Sequence, residues 1–415
     1  MKILTVVFDL GKGGTQRAAQ NFCEGYSVLG HDSRVLAIDG SGHRRKELEA
    51  NGIAIWSGAD DAVIREIATW CPDVVHLHTI GIDKAVVEKI KSCCACRYVE
   101  TNVFSEYSPL TGYVERSFQL SKWAAFNYIA RNGAADKCSI VPNPIKTDNF
   151  FRATRQDRQA FRKAHNIPDT AFVFGRVGQN FIDKWSLHLI DLFTQFHNTV
   201  DSKAVLLMVN PPTAIVDYAG HRNIMKNVVV IDVLHGDDQL RNCYSSIDVF
   251  LHIANQGESF GLVLAESLLC ETPVVTLNTP WSDNSQSEVV MHMTGGLCAN
   301  TLGKFFQHMK RLHGDEELRM KMGSYGSQSI RMRYDYRAVA ARSISLLGAN
   351  DSSAVTVASI VHDLNLESLN YNFVVRRMLA IKINWFRTQL HGSLSHRIIN
   401  LLIRVSCGYR MRRVH

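Results

Sequence analysis

Up to about Pro142 the chain alternates short β-branched runs with longer stretches whose apolar residues recur at helical spacing. Ile3–Phe8, Arg34–Ile38, Asp73–Leu77, Tyr98–Thr101 and Ser139–Val141 read as strands, and Thr15–Leu29 and Asp83–Ser92 read as amphipathic helices. Alternation of this kind predicts a parallel sheet with helices on both faces. A second series follows the charged connector Arg152–Lys163, with strands expected at Phe172–Gly175, Val205–Val209, Val228–Asp232, Val249–His252 and Pro273–Thr276. Tyr334–Leu347 is a helical pattern that would return from the second domain to the first. The expected organisation is an N-terminal domain over 1–147, a second domain over 148–333, a crossover helix over 334–350 and a tail over 351–415. Two doubly wound domains in tandem place a ligand in a cleft between the carboxyl ends of their strands. Binding proteins and dehydrogenases are built the same way, so this architecture names no reaction by itself.

Composition narrows the class. A length of 415 residues suits two domains, and 46% apolar with 20% charged residues is ordinary for a globular protein. No apolar stretch reaches the roughly 18–20 residues that span a bilayer, and the N-terminus is expected to be a first strand, not a signal peptide. The ten cysteines form no disulfide framework, which points to a reducing cytoplasm. Cys93, Cys94 and Cys96 have no partner at metal-ligand spacing and are expected to be small buried apolar residues.

Charge is unevenly placed. The net +7 conceals a segment from Tyr371 to His415 with nine basic residues and no acidic one. Removing that +9 leaves the first 370 residues at about −2, which argues against nucleic acid as a partner of the main body. Within the tail, Val374, Met378, Ile381 and Trp385 share a helical face, with Arg376, Arg377 and Arg387 away from it. Leu394, Ile398, Leu401, Leu402 and Val405 repeat the pattern beside Arg397 and Arg404. Basic amphipathic helices suit an anionic membrane surface. The bland alternative is a helical appendage packed on the body. Because every candidate ligand-binding motif precedes Gly296, the tail is expected to be dispensable for ligand binding.

The richest chemistry lies in Gly257-Glu258-Ser259-Phe260-Gly261-Leu262-Val263-Leu264-Ala265-Glu266. A helix beginning near Phe260 would aim the N–H groups of Phe260, Gly261 and Leu262 into a polar loop, where an anion or sugar accepts them. Glu258 sits in that loop, and Glu266 lies about two turns along. Upstream, Gly11-Lys12-Gly13-Gly14-Thr15-Gln16 follows the first strand, and its glycines allow close backbone approach to a ligand. It is neither a dinucleotide fingerprint nor a P-loop. Gly175-Arg176-Val177-Gly178 and Lys184 offer two cations for an anionic ligand. His76 and His78 end a strand and are expected on opposite faces, with His78 toward the ligand and His76 packed and hydrogen-bonded. Asp283 and Asn284 sit in a polar loop after the next strand.

The segment Gly257–Glu266 resembles the E-x7-E signature of retaining glycosyltransferases of family 4, and the likeness extends over roughly residues 1–348. It implies the GT-B fold: two Rossmann-like, doubly wound α/β domains facing a central cleft, here followed by a basic helical C-terminal tail. It implies a hexosyltransferase that moves a sugar, most often UDP-linked, to a glycan or lipid-linked glycan acceptor in polysaccharide biosynthesis. By resemblance the reaction needs no cofactor or metal, and Arg176 and Lys184 neutralise the leaving group. Glu258 would serve the reacting sugar and Glu266 the ribose diol, while Gly13, Gly14 and Ser259 border the donor. Relatives carry a histidine where this chain has Asn102, an amide that cannot carry a proton. Asn102 and His78 join Glu258 as the catalytic expectation. The cell location implied is cytoplasmic and peripheral on the inner membrane face. An epimerase of the same fold, or a non-catalytic nucleotide-sugar-binding subunit, is the alternative.

Overall fold

The structure is a computed structural model. It describes residues 1–348 apart from 106, 107 and 132, and near the C-terminus residues 378, 381, 393–407 and 409. The chain forms two units.

The first unit runs from Met1 to Lys146 and takes in a later helix that begins at Tyr336. Its strands are β1 (Lys2–Val7), β2 (Asp32–Ala37), β3 (Ala54–Ser57), β4 (Val74–His78), β5 (Arg97–Asn102), β6 (Arg116–Gln119) and β7 (Cys138–Ile140). All pair in parallel in the order β3-β2-β1-β4-β5-β6-β7. Helices α1 (Gly14–Val28), α2 (Arg44–Ala50), α3 (Asp61–Trp70), α4 (Lys84–Cys93) and α5 (Lys122–Ala130) connect them.

The second unit begins at Thr147. Its strands β8 (Val173–Val177), β9 (Val205–Val209), β10 (Val228–Ile231), β11 (Val249–His252), β12 (Val274–Leu277) and β13 (Gly296–Ala299) are parallel in the order β10-β9-β8-β11-β12-β13. Its helices are α6 (Arg155–Ala164), α7 (Leu187–Thr199), α8 (Thr213–His221), α9 (Gly236–Ser246), α10 (Leu262–Leu269), α11 (Gln286–Val290), α12 (Leu302–Gly314) and α13 (Glu316–Tyr334). Then come α14 (Tyr336–Gly348), which packs on α1 of the first unit, and α15 (Ser393–Ser406), which belongs to the second. Tyr26 of α1 meets Ser343 of α14 through a 2.9 Å hydroxyl contact beside buried Phe22, Val339 and Ala340.

Central strands are buried throughout because helices cover both faces, so β9, Val-Leu-Leu-Met-Val, is apolar without alternation. β3, β6 and β13 lack that signal and were not anticipated. β6, Arg-Ser-Phe-Gln, buries two polar side chains, and the partner of the first comes from the neighbouring strand β5. Ser117 donates to Glu100 at 2.6 Å, and Gln119 donates to Ser117 at 3.0 Å.

In each sheet the winding direction reverses once. The reversal lies between β1 and β4 in the first unit and between β8 and β11 in the second. At such a point the two flanking connections diverge and leave a crevice at the strands' carboxyl ends, the usual ligand position in open parallel sheets.

The cysteines are all free, but the expected burial of the trio holds only for Cys94. Cys93 is exposed and Cys96 half-buried, because Cys93 closes the amphipathic α4 and Cys96 stands in the short turn into β5. Among the described residues, no helix is long and apolar enough to cross a membrane.

Candidate active site

In the second unit the winding reversal collects four charged or titratable side chains. Arg176 is the fourth residue of β8 and His252 the last of β11. Lys184 closes a one-turn helix in the loop after β8, and Glu258 stands in the loop after β11. Lys184 Nζ reaches Glu258 Oε2 at 2.7 Å, and His252 Nε2 lies 3.2 Å from Glu258 Oε1. Each carboxylate oxygen therefore has its own donor, which requires the Nε2–H tautomer of His252, with Nδ1 accepting from the Thr276 hydroxyl at 3.0 Å.

Burial alone would raise the Glu258 carboxyl. The Lys184 ammonium, the His252 hydrogen bond and the Arg176 charge outweigh it and hold the group well below the carboxylate range. His252 is drawn the other way: burial, then the Arg176 charge, push it down to about 4 against the attraction of Glu258. It is a neutral imidazole near neutral pH, so its help to Glu258 is a hydrogen bond, not a charge. The sequence pattern places His252 in a strand and gives it no further role. Its position six residues before Glu258, at a strand's carboxyl end, was the available signal.

Arg176 is the most telling member. Its side chain is fully buried. One Nη donates to the Lys184 carbonyl at 2.6 Å, while Nε and the other Nη have no hydrogen-bond partner. The guanidinium carbon lies 5.4 Å from the Trp185 ring centroid and 5.8 Å from that of Phe250. Burial pulls its pKa down to about 10, against the opposing charges of Glu258 and Tyr244. A buried cation with unsatisfied donors is costly unless an anion completes it.

The loop that carries Glu258 is built for its shape. Gly257 has φ +70°, and a Cβ there would stand 2.0 Å from the Asp283 carbonyl oxygen. Gly261 caps α10 at φ +97°. Both conformations favour glycine. The helix begins at Leu262, two residues later than expected, because Gly261 in the left-handed region cannot be its first turn. Phe260 is buried, and Ser259 and Leu262 are half-buried. Gln286, which sequence reasoning passed over, buttresses the loop: its Oε1 accepts from the Glu258 N–H at 3.1 Å. Its Nε2 donates to the Leu277 carbonyl at 3.0 Å and the Thr279 hydroxyl at 2.7 Å. Asn284 accepts from the Thr279 N–H at 2.7 Å, while Asp283 gives its carbonyl to the Thr279 hydroxyl. Glu266 is buried on α10, where Oε2 accepts from the Tyr244 hydroxyl at 2.9 Å.

In the first unit the reversal point is furnished differently. The loop after β1 is occupied by Asp9, which accepts from the Gly11 N–H at 2.6 Å and the Gln16 amide at 2.9 Å. Gly13 caps α1, and Gly14 is its first residue. The two histidines of β4 do not face opposite ways. Residues two apart on a strand share a face, and their rings lie 4.5 Å apart. His76 is packed and bonded as expected, to the Tyr26 hydroxyl at 2.9 Å and the Thr101 hydroxyl at 2.8 Å. His78 is fully buried beside Phe22, both ring nitrogens without a partner, and burial lowers it to about 3. Asn102 ends β5 and is buried. Among the described residues, no three His, Cys, Asp or Glu side chains gather as a metal site.

In the tail, Val374, Trp385, Arg376, Arg377, Arg387 and the Leu394 side chain lie outside the described residues. Ile398, Leu401, Leu402 and Val405 form an exposed stripe on α15, and Ile399, Ile403 and Cys407 are buried. The helix therefore has two apolar faces, one packed and one open.

No curated protein matches the chain by sequence. Solved structures do match its fold. HepE of Anabaena, crystallised with UDP-glucose, is 15% identical, with a TM-score of 0.70 over 84% of this chain and 99% of its own. A glycosyltransferase from Rickettsia africae is 14% identical, with a TM-score of 0.69 over 83% and 97%. WaaG, a glycosyltransferase involved in lipopolysaccharide biosynthesis, is 14% identical, with a TM-score of 0.57 over 84% and 100%. The architecture is thus of the GT-B type, two Rossmann-like units with a C-terminal helical extension. Residues 157–329 match the family described as glycosyl transferases group 1, which supports glycosyltransferase activity. That match corrects the family 4 assignment drawn from the Glu258–Glu266 spacing: the family model that matches, over residues 157–329, is the one described as glycosyl transferases group 1.

Proposed function

We propose that the chain transfers a sugar from a nucleoside diphosphate donor, UDP-linked, to a glycan or lipid-linked glycan acceptor with retention at the anomeric carbon. The observation that carries this reading is Arg176: a buried guanidinium with two unpartnered nitrogens beside Lys184, at the carboxyl ends of β8 and β11. A diphosphate offers the anionic oxygens those donors lack. In the reaction the bond between the anomeric carbon and the diphosphate oxygen breaks, and its electron pair leaves on the diphosphate. The acceptor hydroxyl bonds to the same face of the anomeric carbon, and its proton passes to the departing phosphate oxygen. Arg176 and Lys184 stabilise the charge that develops, the work a divalent cation would otherwise do. Glu258 holds the donor sugar near its reacting face, backed by His252 and Gln286. Backbone N–H groups of Phe260, Gly261 and Leu262 donate to sugar hydroxyl oxygens, and Glu266 takes the ribose diol. HepE's complex with UDP-glucose supports a UDP-linked donor.

The open stripe of α15 supports a lipid-linked acceptor. Ile398, Leu401, Leu402 and Val405 follow the i, i+3, i+4, i+7 spacing of an interfacial helix, and Arg397 is exposed beside them. Titrating the full chain with UDP, then assaying UDP-sugars with and without chelator, tests the donor half. Binding and transfer that survive chelator support it; no binding to any nucleoside diphosphate overturns it.

A further inference from the structure

The C-terminal segment reaches the candidate site itself. Tyr409, three residues beyond α15, is buried, and its hydroxyl joins two loops. It donates to Asn255 Oδ1 at 2.8 Å and lies 3.0 Å from the Ser186 hydroxyl. Asn255 belongs to the loop that carries Glu258, and Ser186 follows Lys184 by two residues. Asn255 continues the tie: its N–H donates to the Asp183 carbonyl at 3.0 Å and its amide to the Ile182 carbonyl at 3.2 Å. The Tyr409 ring stacks on Trp281 at 5.0 Å with an interplanar angle of 26°, and meets His188 edge-on at 5.2 Å. Trp281 lies in the loop after β12, two residues before Asp283, whose carbonyl receives the Thr279 hydroxyl that also bonds Gln286.

Thus one side chain from the tail touches the loops after β8, β11 and β12, which carry Lys184, Glu258 and the Gln286 support. A chain of hydroxyls, Ser186 to Tyr409 to Asn255, satisfies each group in turn, and its members strengthen one another by polarisation. The stacked Tyr409 and Trp281 rings are themselves buried beside that chain. Such an arrangement fixes the separation of the two loops, and with it the distance from Lys184 to Glu258.

We propose that Tyr409 is a positioning residue for the donor site, fastening the Lys184 loop to the Glu258 loop. The tail is therefore not dispensable for donor binding, contrary to the expectation from motif positions. The inference rests on the donor reading above only for its effect on nucleotide affinity; the tie between loops stands apart from it.

The test uses full-length Tyr409→Phe, which keeps the stack, and Tyr409→Ala, which removes it. Without ligand, amide exchange in 179–186 and 253–261 should quicken about 5- to 10-fold in Tyr409→Phe, the worth of one or two hydrogen bonds. It should quicken further in Tyr409→Ala, with β1 and β4 unchanged as an internal reference. UDP affinity should fall by a similar factor in Tyr409→Phe while the thermal midpoint stays within a degree or two of wild type. Unchanged exchange in both loops overturns the inference. Faster exchange with unchanged UDP affinity, in a wild type that binds UDP, overturns the positioning role. If the wild type binds no UDP, the donor reading has failed, and the exchange rates alone decide whether Tyr409 ties the loops.

Discussion

The two units wind their sheets the same way and reverse at the same kind of point, yet they fill it with opposite chemistry. Between β8 and β11 stand Arg176, Lys184, His252 and Glu258, two cations and an anion joined by short contacts and backed by Gln286. Between β1 and β4 stand His76 and His78, which burial holds neutral, and an Asp9 loop bonded to its own Gly11 and Gln16. Topology supplies a crevice in both. The second unit sets a buried cation, Arg176, in it with donors left over, and that difference separates a candidate donor site from a packed core.

The contrast breaks most sharply at Glu258. Glu258→Gln keeps the shape but removes the charge that Lys184 and His252 hold, so turnover should drop about 10²-fold or more with a nucleotide affinity little changed. Steady-state kinetics with the best UDP-sugar checks it. A drop of under threefold would place the reacting sugar elsewhere.

Acid should distinguish the units next. His78 and His252 both have folded pKa values below the unfolded value near 6.5, at about 3 and about 4. Protonation therefore favours the unfolded chain. The stability each contributes is complete above pH 6.5 and is lost as pH falls toward the folded value. From pH 6.5 to 4 the His78 effect is on the order of 3 kcal/mol. His78→Leu should flatten the loss of stability of the first unit over that window, measured by denaturant titration at several pH values. Glu258 acts in the same direction but lower down: its depressed carboxyl contributes stability present above about pH 4.5 and lost below it.

Arg176→Lys sharpens the anion argument. A lysine keeps a charge but not the planar fork, so UDP affinity should fall about tenfold, and added Mg²⁺ should not restore it. Calorimetric titration reads both outcomes.

The smallest effect is expected at the tail. Ile398→Asp with Leu402→Asp places acids on the open stripe of α15 and leaves Ile399, Ile403 and Tyr409 in place. Co-sedimentation with vesicles rich in anionic lipid should fall a few-fold at low salt, with UDP affinity unchanged. Equal sedimentation of variant and wild type would make the stripe irrelevant to membranes.

Strand identity was legible where helices bury both faces. All ten strands expected from apolar runs begin within two residues of their observed start, from β1 to β12. β6 was not, because its buried Ser117 is bonded only when Glu100 of β5 arrives beside it, and Gln119 in turn bonds Ser117. The Glu258 loop was legible as a site because glycine, carboxylate and helix start are local in sequence. His252, Gln286 and Tyr409 were not legible in those roles. Gln286 and Tyr409 reach the Glu258 loop through strand order and through a tail that folds back, which no periodicity encodes, and the bond from nearby His252 depends on how the loop turns.

The sequence by itself determined two parallel α/β units, a polar loop before α10 and a basic tail, since each follows from local pattern and composition. Tertiary structure alone decided that Lys184 and His252 share one carboxylate and that His78 is buried instead of presented. It also decided that α15 turns Ile399 and Ile403 inward and that Tyr409 reaches the donor loops. The physical reason is common to all of these. A side chain's charge state and partners depend on burial and on neighbours many residues away, and both exist only once the sheets have formed.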